Sequence, residues 1–419
     1  MFFERLILGV MTTSRETAPP GRPARPNSPV GPRGGQRFRT LKDKSPSPRG
    51  AALVPPSVHE PVLPESGRRG RGALTNKSGR YEPQSRIVLD DGWDRSDEAP
   101  APLKTQVTEE TPRHIITRNR SPDLPFDRSI NAYRGCEHGC VYCFARPTHA
   151  YMGLSPGLDF ESKLFAKPNA AQLLEKELAR PGYKVAPIAM GTNTDPYQPI
   201  EQRYRITRSL LEVLSDYNHP VTIVTKSARI TRDLDILGSM AERNLVRVAL
   251  SVTTLDPKLA RALEPRASTP SRRMEAIRLL TEAGIPVGVM IAPIIPALND
   301  AEIEKILAGA AYAGARQANF VILRLPLEIR DLFVEWLNEH VPDKAGHVMS
   351  LIRQMRGGKD YDSTWGARQI GTGPYAWQIA RRFEIATKRL GLGQHAREGG
   401  MLDCSQFLVP GRGRQLALL

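Results

Sequence analysis

Between residues 165 and 326 the apolar positions follow two rhythms in turn. FAKPNAAQLLEKELAR, RYRITRSLLEVLSDY, DLDILGSMAERN, SRRMEAIRLLTEAG and AEIEKILAGAAYAG repeat apolar residues every three or four positions, the spacing of one helix face. Between them lie short β-branched runs, VAPIAMGTN, VTIVTKS, VRVALSVTT, PVGVMIAPIIP and ANFVILRLP, which read as strands. Pro181–Gly182, Gly284 and Gly314 stop three of the helices. With SINAYR (129–134) as a first strand, six strands alternate with helices. That beat predicts an α/β fold of parallel βα units, a partial (β/α)6 barrel over 126–326. Beyond it, LEIRDLFVEWLNEHV, AGHVMSLIRQMRGG and YAWQIARRFEIATKRLGL predict a helical extension over 327–419 that closes the open side or the floor. Ahead of the barrel, 66–125 reads as an irregular extension, and the Pro-, Arg-, Ser- and Gly-rich residues 1–65 as a disordered tail.

Charge adds a class of partner. The 419 residues carry 59 Lys and Arg against 44 Asp and Glu, a formal charge of +15. Such a field favours polyanions, nucleic acid before acidic membrane. Ten of the basic and four of the acidic residues fall in the first 60, which leaves +9 for the rest. The tail is either a weak nucleic-acid arm or a solvated segment. No stretch reaches the ~20 apolar residues that span a bilayer, so no membrane partner is expected. The opening MFFERLILGVM lacks the features of a signal peptide, and Met11 competes with Met1 as the start. Four cysteines in this length make no disulfide framework, and a reducing, cytoplasmic setting is expected.

Three of those cysteines carry the chemistry. Cys136, Cys140 and Cys143 stand as C-x3-C-x2-C within NAYRGCEHGCVYCFARP. Thiolates at this spacing can wrap one iron–sulfur cluster from a single loop. A cubane has four irons, so three cysteines leave one iron open, and an open coordination position is where a metal centre reacts. The alternative is a zinc site in which His138 or His149 completes a Cys3His set, at spacings poorly suited to zinc.

The triplet, with Tyr142 ahead of its last cysteine, resembles the radical S-adenosylmethionine (SAM) superfamily. SINAYRGCEHGCVYCFARPTHAY, GTNTDPYQPIE, VTKSARITRD, LSVTTLD, LEPRASTPSRR, APIIPALND and LRLP extend the likeness over roughly residues 66 to 419. They resemble the group related to spore photoproduct lyase, often labelled DNA repair photolyase-like, and within it bacterial PA-type or Rv-type proteins of unassigned substrate. The resemblance implies a [4Fe–4S] cluster on Cys136, Cys140 and Cys143 whose fourth iron takes SAM. It further implies reductive cleavage to a 5′-deoxyadenosyl radical that abstracts hydrogen, with flavodoxin or ferredoxin as a suitable reductant. Tyr142, Asn193, Thr194, Asp195, Lys226 and Ser251 are the residues so placed at the cofactor.

Other residues stay open. Arg324, at the end of the last strand, is either a substrate phosphate or carboxylate clamp or a structural ion pair. Arg266, Arg272 and Arg273 either track a phosphate backbone or ride a solvated loop. Spore photoproduct lyase carries a hydrogen-donor cysteine shortly after its cluster, and KVAPIAMGTNTDPY has none. Cys404 is the spare thiol, a donor or a small buried hydrophobe. Tyr133, Tyr142 and Tyr197 are alternative hydrogen relays, and Glu201 is a further polar candidate on the rim. The terminal QLALL (Gln415–Leu419) resembles a sliding-clamp-binding peptide. The rival reading from another class is a non-catalytic nucleic-acid-binding protein with a structural metal site.

Overall fold

The computed structural model describes residues 66–83, 101–393 and 401–411. The expected disordered tail, the choice between Met1 and Met11, and the Gln415–Leu419 peptide lie outside the described residues.

Ten strands form two sheets. β1 (Gln106–Glu109), β4 (Tyr133–Arg134) and β5 (Lys163–Ala166) make a small sheet in the order β1-β5-β4. The large sheet contains β2 (Ile116–Arg118), β3 (Arg128–Ile130), β6 (Ile188–Met190), β7 (Val221–Thr225), β8 (Val246–Ser251), β9 (Val287–Ile294) and β10 (Gln317–Ile322). Its order is β10-β9-β8-β7-β6-β3-β2. β3 and β6 to β10 run parallel, six strands, and β2 adds antiparallel to β3. Helices return between the parallel strands, so the architecture is the partial barrel of βα units that the alternating periods predict.

The local reasons are ordinary ones. In β7 and β8 alternate residues are fully buried and the others half-buried, as β-branched strands covered on both faces should be. The helix Ile206–Asp216 buries Ile206, Leu210, Leu211 and Leu214 on one stripe. Pro270–Glu282 starts under a Thr269 cap that accepts the Arg272 N–H, and Pro257–Leu263 under an Asp256 cap that accepts from Lys258 and Leu259. Gly284 (φ +74°) and Gly314 (φ +99°) sit in the left-handed region just past their helices.

Several elements depart from expectation. The stretch 66–125 supplies β1 and β2, so its later part is sheet rather than irregular. The first barrel strand ends at Ile130, and Tyr133–Arg134 leaves it to pair with β5 in the small sheet. FAKP belongs partly to β5 instead of opening a helix, because Phe165 and Ala166 pair with β1 and β4. The C-terminal helices do not share one job. Ile329–His340 and Pro342–Gln354 bury Phe333, Trp336, Leu337, Val348 and Ile352 against Val141, Tyr142, Leu263, Ile295, Leu323 and Leu325, roofing the C-terminal edge of the strands. Gly373–Arg389 packs on the last barrel edge, with Phe383 against Phe320 at 4.7 Å. Residues 401–411 cover the opposite, N-terminal edge, where Phe407 meets Tyr183, Tyr217 and His219. No helix among the described residues is long and apolar enough to cross a membrane.

Candidate active site

The cysteine loop leaves β4 at Gly135 and turns through Gly139, both at positive φ. A Cβ on Gly135 would press on the Phe160 carbonyl and Leu164, and one on Gly139 on Glu161, so the loop needs glycine twice. Fully buried Arg146 holds it from beneath. Its guanidinium donates to the carbonyls of Cys140 (2.8 Å), Gly139 (3.1 Å), Pro156 (3.0 Å) and Gly157 (2.9 Å), and pairs with Glu161. Glu161 in turn accepts the Gly72 and Ala73 N–H groups at 2.8 and 2.9 Å, which straps the 66–83 segment over the loop. The Gln198 side-chain amide accepts from Glu137 N (2.9 Å) and donates to the Gly135 carbonyl (3.2 Å). Apart from the Arg146–Glu161 pair, these ties satisfy backbone groups that burial would otherwise leave unpaired.

The three thiols are free and gathered in one place. Cys136 and Cys143 share an apolar group with Ala145 and Phe160, while Cys140 and Cys143 border the roof. Burial pushes all three thiols up. Lys226 and Arg273 draw Cys140 back, and Arg146 and Lys226 do so for Cys143, so positive charge faces the sulfurs. Among the described residues no three His, Cys, Asp or Glu side chains converge closely enough for a single metal ion. A cubane is different, since it holds its thiolates at separate corners. Each histidine of the zinc alternative is anchored through one ring nitrogen, and among the described residues neither joins the cysteines in a group that could hold one metal ion. His138 Nδ1 lies 3.4 Å from Asp195, and His149 Nε2 bonds the Lys163 carbonyl at 2.9 Å, its ring against Phe160 and Phe165. The donor set therefore fits a three-thiolate cluster.

The strand ends form the neighbouring wall. Lys226 after β7 donates its Nζ to Ser251 Oγ on β8 (2.9 Å) and to the Ala292 carbonyl (3.3 Å), and lies over the Tyr142 ring at 5.7 Å. The Tyr142 hydroxyl donates to buried Glu264, which also takes Thr253 at 2.6 Å and the Arg273 guanidinium. Burial alone would raise the Glu264 carboxyl, yet Arg273 and Lys226 bring it down to about 2. Thus Tyr142, Lys226 and Ser251 stand together beside the thiols.

The other candidate residues have protein partners of their own. Asp195 is occupied internally. Its Oδ1 accepts from Tyr197 N (2.9 Å) and Thr225 (2.7 Å), its Oδ2 from Lys226 N (2.8 Å) and faces His138. Burial would raise its carboxyl, but His138 and these donors hold it down at about 2. It positions Lys226 and the cysteine loop and has no oxygen left for a cofactor. Thr194 turns its hydroxyl to the Tyr133 carbonyl at 3.1 Å, while Asn193, half-buried, has only its backbone N–H fixed, by Asn131. Cys404 is not a donor at this site. Its segment hangs from the Asn244 and Tyr217 carbonyls, at the N-terminal edge of the strands, across the sheet from the cysteine loop. The relay tyrosines Tyr133 and Tyr142 have their hydroxyls on Glu201 and Glu264. Glu201 is committed to Tyr133, Thr207 and Arg232. Arg273 is a buried partner of Glu264, while Arg266 pairs with Glu137 at 2.9 Å and stays partly exposed. Arg324 does reach the correct rim, its guanidinium 4.6 Å over Phe144.

Sequence reasoning missed Arg146, Glu161, Gln198, Asn131 and Glu264. The one local signal was Arg146, three residues past the last cysteine.

The family model described as the radical SAM superfamily matches residues 130–308. "Uncharacterized protein Rv2578c" of Mycobacterium tuberculosis is 38% identical over 233 residues, 55% of this chain and 68% of that protein. "Uncharacterized protein MJ0683" of Methanocaldococcus jannaschii is 30% identical over 173 residues, 41% of this chain and 62% of its own length. Among solved structures, spore photoproduct lyase complexed with dinucleoside spore photoproduct aligns with TM-score 0.44 and 15% identity over 69% of this chain and 79% of that one. The chain belongs to the radical SAM superfamily and is an enzyme of SAM-dependent radical chemistry.

Proposed function

We propose that Cys136, Cys140 and Cys143 bind three corners of a [4Fe–4S] cluster whose fourth iron takes SAM, and that the enzyme abstracts hydrogen from a nucleic-acid substrate. Together the two cofactors supply one chemistry: an electron from an external reductant breaks the sulfonium C–S bond, giving methionine and a 5′-deoxyadenosyl radical. The chain's own residues prepare that site. Lys226 offers an ammonium to the SAM carboxylate, with Ser251 holding its Nζ from the side. Glu264 fixes the Tyr142 hydroxyl, and so the ring against which Lys226 rests. Asp195 pins the Lys226 backbone. The Gly72–Ala73 strap and the Phe333–Trp336 roof keep bulk water off the sulfurs.

The observation that carries this reading is the gathering of three free thiols, Cys136 and Cys140 buried and Cys143 partly so, with Lys226 facing Cys140 and Cys143. The nucleic-acid substrate is supported by the +15 charge. Anaerobic purification tests the reading. A brown protein with about four irons per chain that yields 5′-deoxyadenosine from SAM and dithionite supports it, and a colourless zinc protein overturns it.

A further inference from the structure

Among the described residues Arg324 forms no ion pair, and Tyr361, Asp123 and Cys143 only act on it at a distance. Arg324 follows β10 on the rim that carries Lys226 and Ser251, and it rests on Phe144, the residue after Cys143. Among the described residues no carboxylate pairs with it. Asp123 and Cys143 are near enough to feel its charge, yet Asp123 already receives the Arg368 guanidinium at 2.6 Å and the Gly366 N–H at 2.7 Å. Arg356 stands behind it, 2% exposed, and donates only to neutral carbonyls, those of Leu323 (2.9 Å) and Ala367 (2.7 Å). Burial lowers the pKa of both guanidiniums, and each lowers it further for its surroundings: Arg324 for Arg356, Arg368 for Arg324. Three arginines thus share one corner with two carboxylates, Asp123 and Asp362, of which only Asp123 is hydrogen-bonded to one of the three.

A desolvated cation with no anion beside it is costly, and an anionic ligand removes that cost. Carboxylate and phosphate both suit a guanidinium fork. One positive charge is left in excess, and phosphate suits it better than carboxylate because it brings more acceptor oxygens for the guanidinium fork. The flanking surface is aromatic. Phe144 is 47% and Trp365 55% exposed, and Arg368 lies over the Trp365 ring at 4.3 Å. Exposed rings beside arginines are what a stacked base with an attached phosphate requires.

We propose that Arg324, backed by Arg356 and flanked by Phe144 and Trp365, is the subsite for a nucleotide phosphate of the substrate. The proposal deepens the functional reading and rests on the cysteine loop being the reaction centre. A free mononucleotide and a nucleic-acid strand present the same group, and the test separates them.

The test uses the full chain, anaerobically reconstituted, with a fluorescein-labelled single-stranded thymidine oligonucleotide as probe and thymidine monophosphate or thymidine as competitor. Fluorescence anisotropy is expected to show binding that Arg324→Gln weakens about 10- to 100-fold. Arg324→Lys should fall between, keeping charge without the fork. Trp365→Ala, with Arg368 kept and folding checked by thermal melting, should weaken binding about tenfold by lost stacking. Competition by the monophosphate but not by thymidine assigns a free nucleotide; competition by unlabelled strand alone assigns nucleic acid. Either supports the phosphate subsite. Equal affinities for wild type and Arg324→Gln overturn it. So does an Arg324→Gln effect confined to the cluster's reduction potential, which would make Arg324 the cluster's own counter-charge. Failure of the functional reading looks different: wild type without iron or without 5′-deoxyadenosine.

Discussion

Gly72 and Gly139 meet backbone to backbone: a Cβ on Gly72 would stand 1.9 Å from the Gly139 carbonyl oxygen. The contact presses the N-terminal strap onto the turn between Cys136 and Cys140. Gly72→Ala is expected to force the strap off the loop, at an overpacking cost of about 1–3 kcal/mol. The anaerobically loaded variant should lose iron in air faster than wild type. Equal iron half-lives in air would show that the strap shields nothing.

The Arg146–Glu161 pair is fully buried and ties the loop to the strap. Glu161→Gln leaves the guanidinium uncompensated, and chemical denaturation should register a loss of about 3–5 kcal/mol. Iron per chain should drop with it, because the Cys140 and Gly139 carbonyls share the same guanidinium.

Lys226 is placed to bind the cofactor and is not a ligand of iron. Lys226→Met is expected to keep the full iron content while weakening SAM binding about 10- to 100-fold, the worth of a charge-assisted hydrogen bond. Ser251→Ala should do the same more weakly. Isothermal titration of loaded protein with SAM measures both, and unchanged affinity in Lys226→Met would remove the assignment.

Far from the cysteines, His219 is buried with Nδ1 donating to the Pro220 carbonyl (3.0 Å) and Nε2 accepting from Tyr183 (2.8 Å). Burial lowers its pKa to about 4. An unfolded histidine titrates near 6.5, so on acidification the unfolded chain takes up its proton first. Stability from this group is therefore complete above pH ~6.5 and lost as pH falls towards 4, by about 3 kcal/mol. His219→Asn should lower stability at neutral pH and flatten the slope of Tm against pH in that window.

The six parallel strands were legible because runs such as VTIVT and VRVALS are β-branched, short and separated by helices of clear period. β1 was not, since QVTE is mostly exposed and carries one apolar residue, Val107. β5 hid inside a helix-like run, as Leu164, Ala166, Ala170 and Leu174 keep near-helical spacing, and only pairing with β1 and β4 makes KLFA a strand. At the site, the cysteines were legible because they lie within one loop. Asp195 and Arg273 read as rim groups, and their internal partners, His138 and Glu264, come from tertiary contact. The place of Cys404 was left open for a similar reason: distance along a chain says nothing about which edge of the strands a returning segment meets.

The large sheet does not close on itself: β10 and β2 are its two ends and form no ladder with each other. Across that interval the turn holding Ala367–Ile370 is fastened to the β2–β3 connection by Arg368 on Asp123 and Ser121. Elsewhere neighbouring strands are zipped by main-chain bonds, which give way only on unfolding. This seam is a clasp of side chains, buried enough that salt screens it little. The flank next to Arg324 therefore depends on a single arginine where the rest of the sheet depends on ladders.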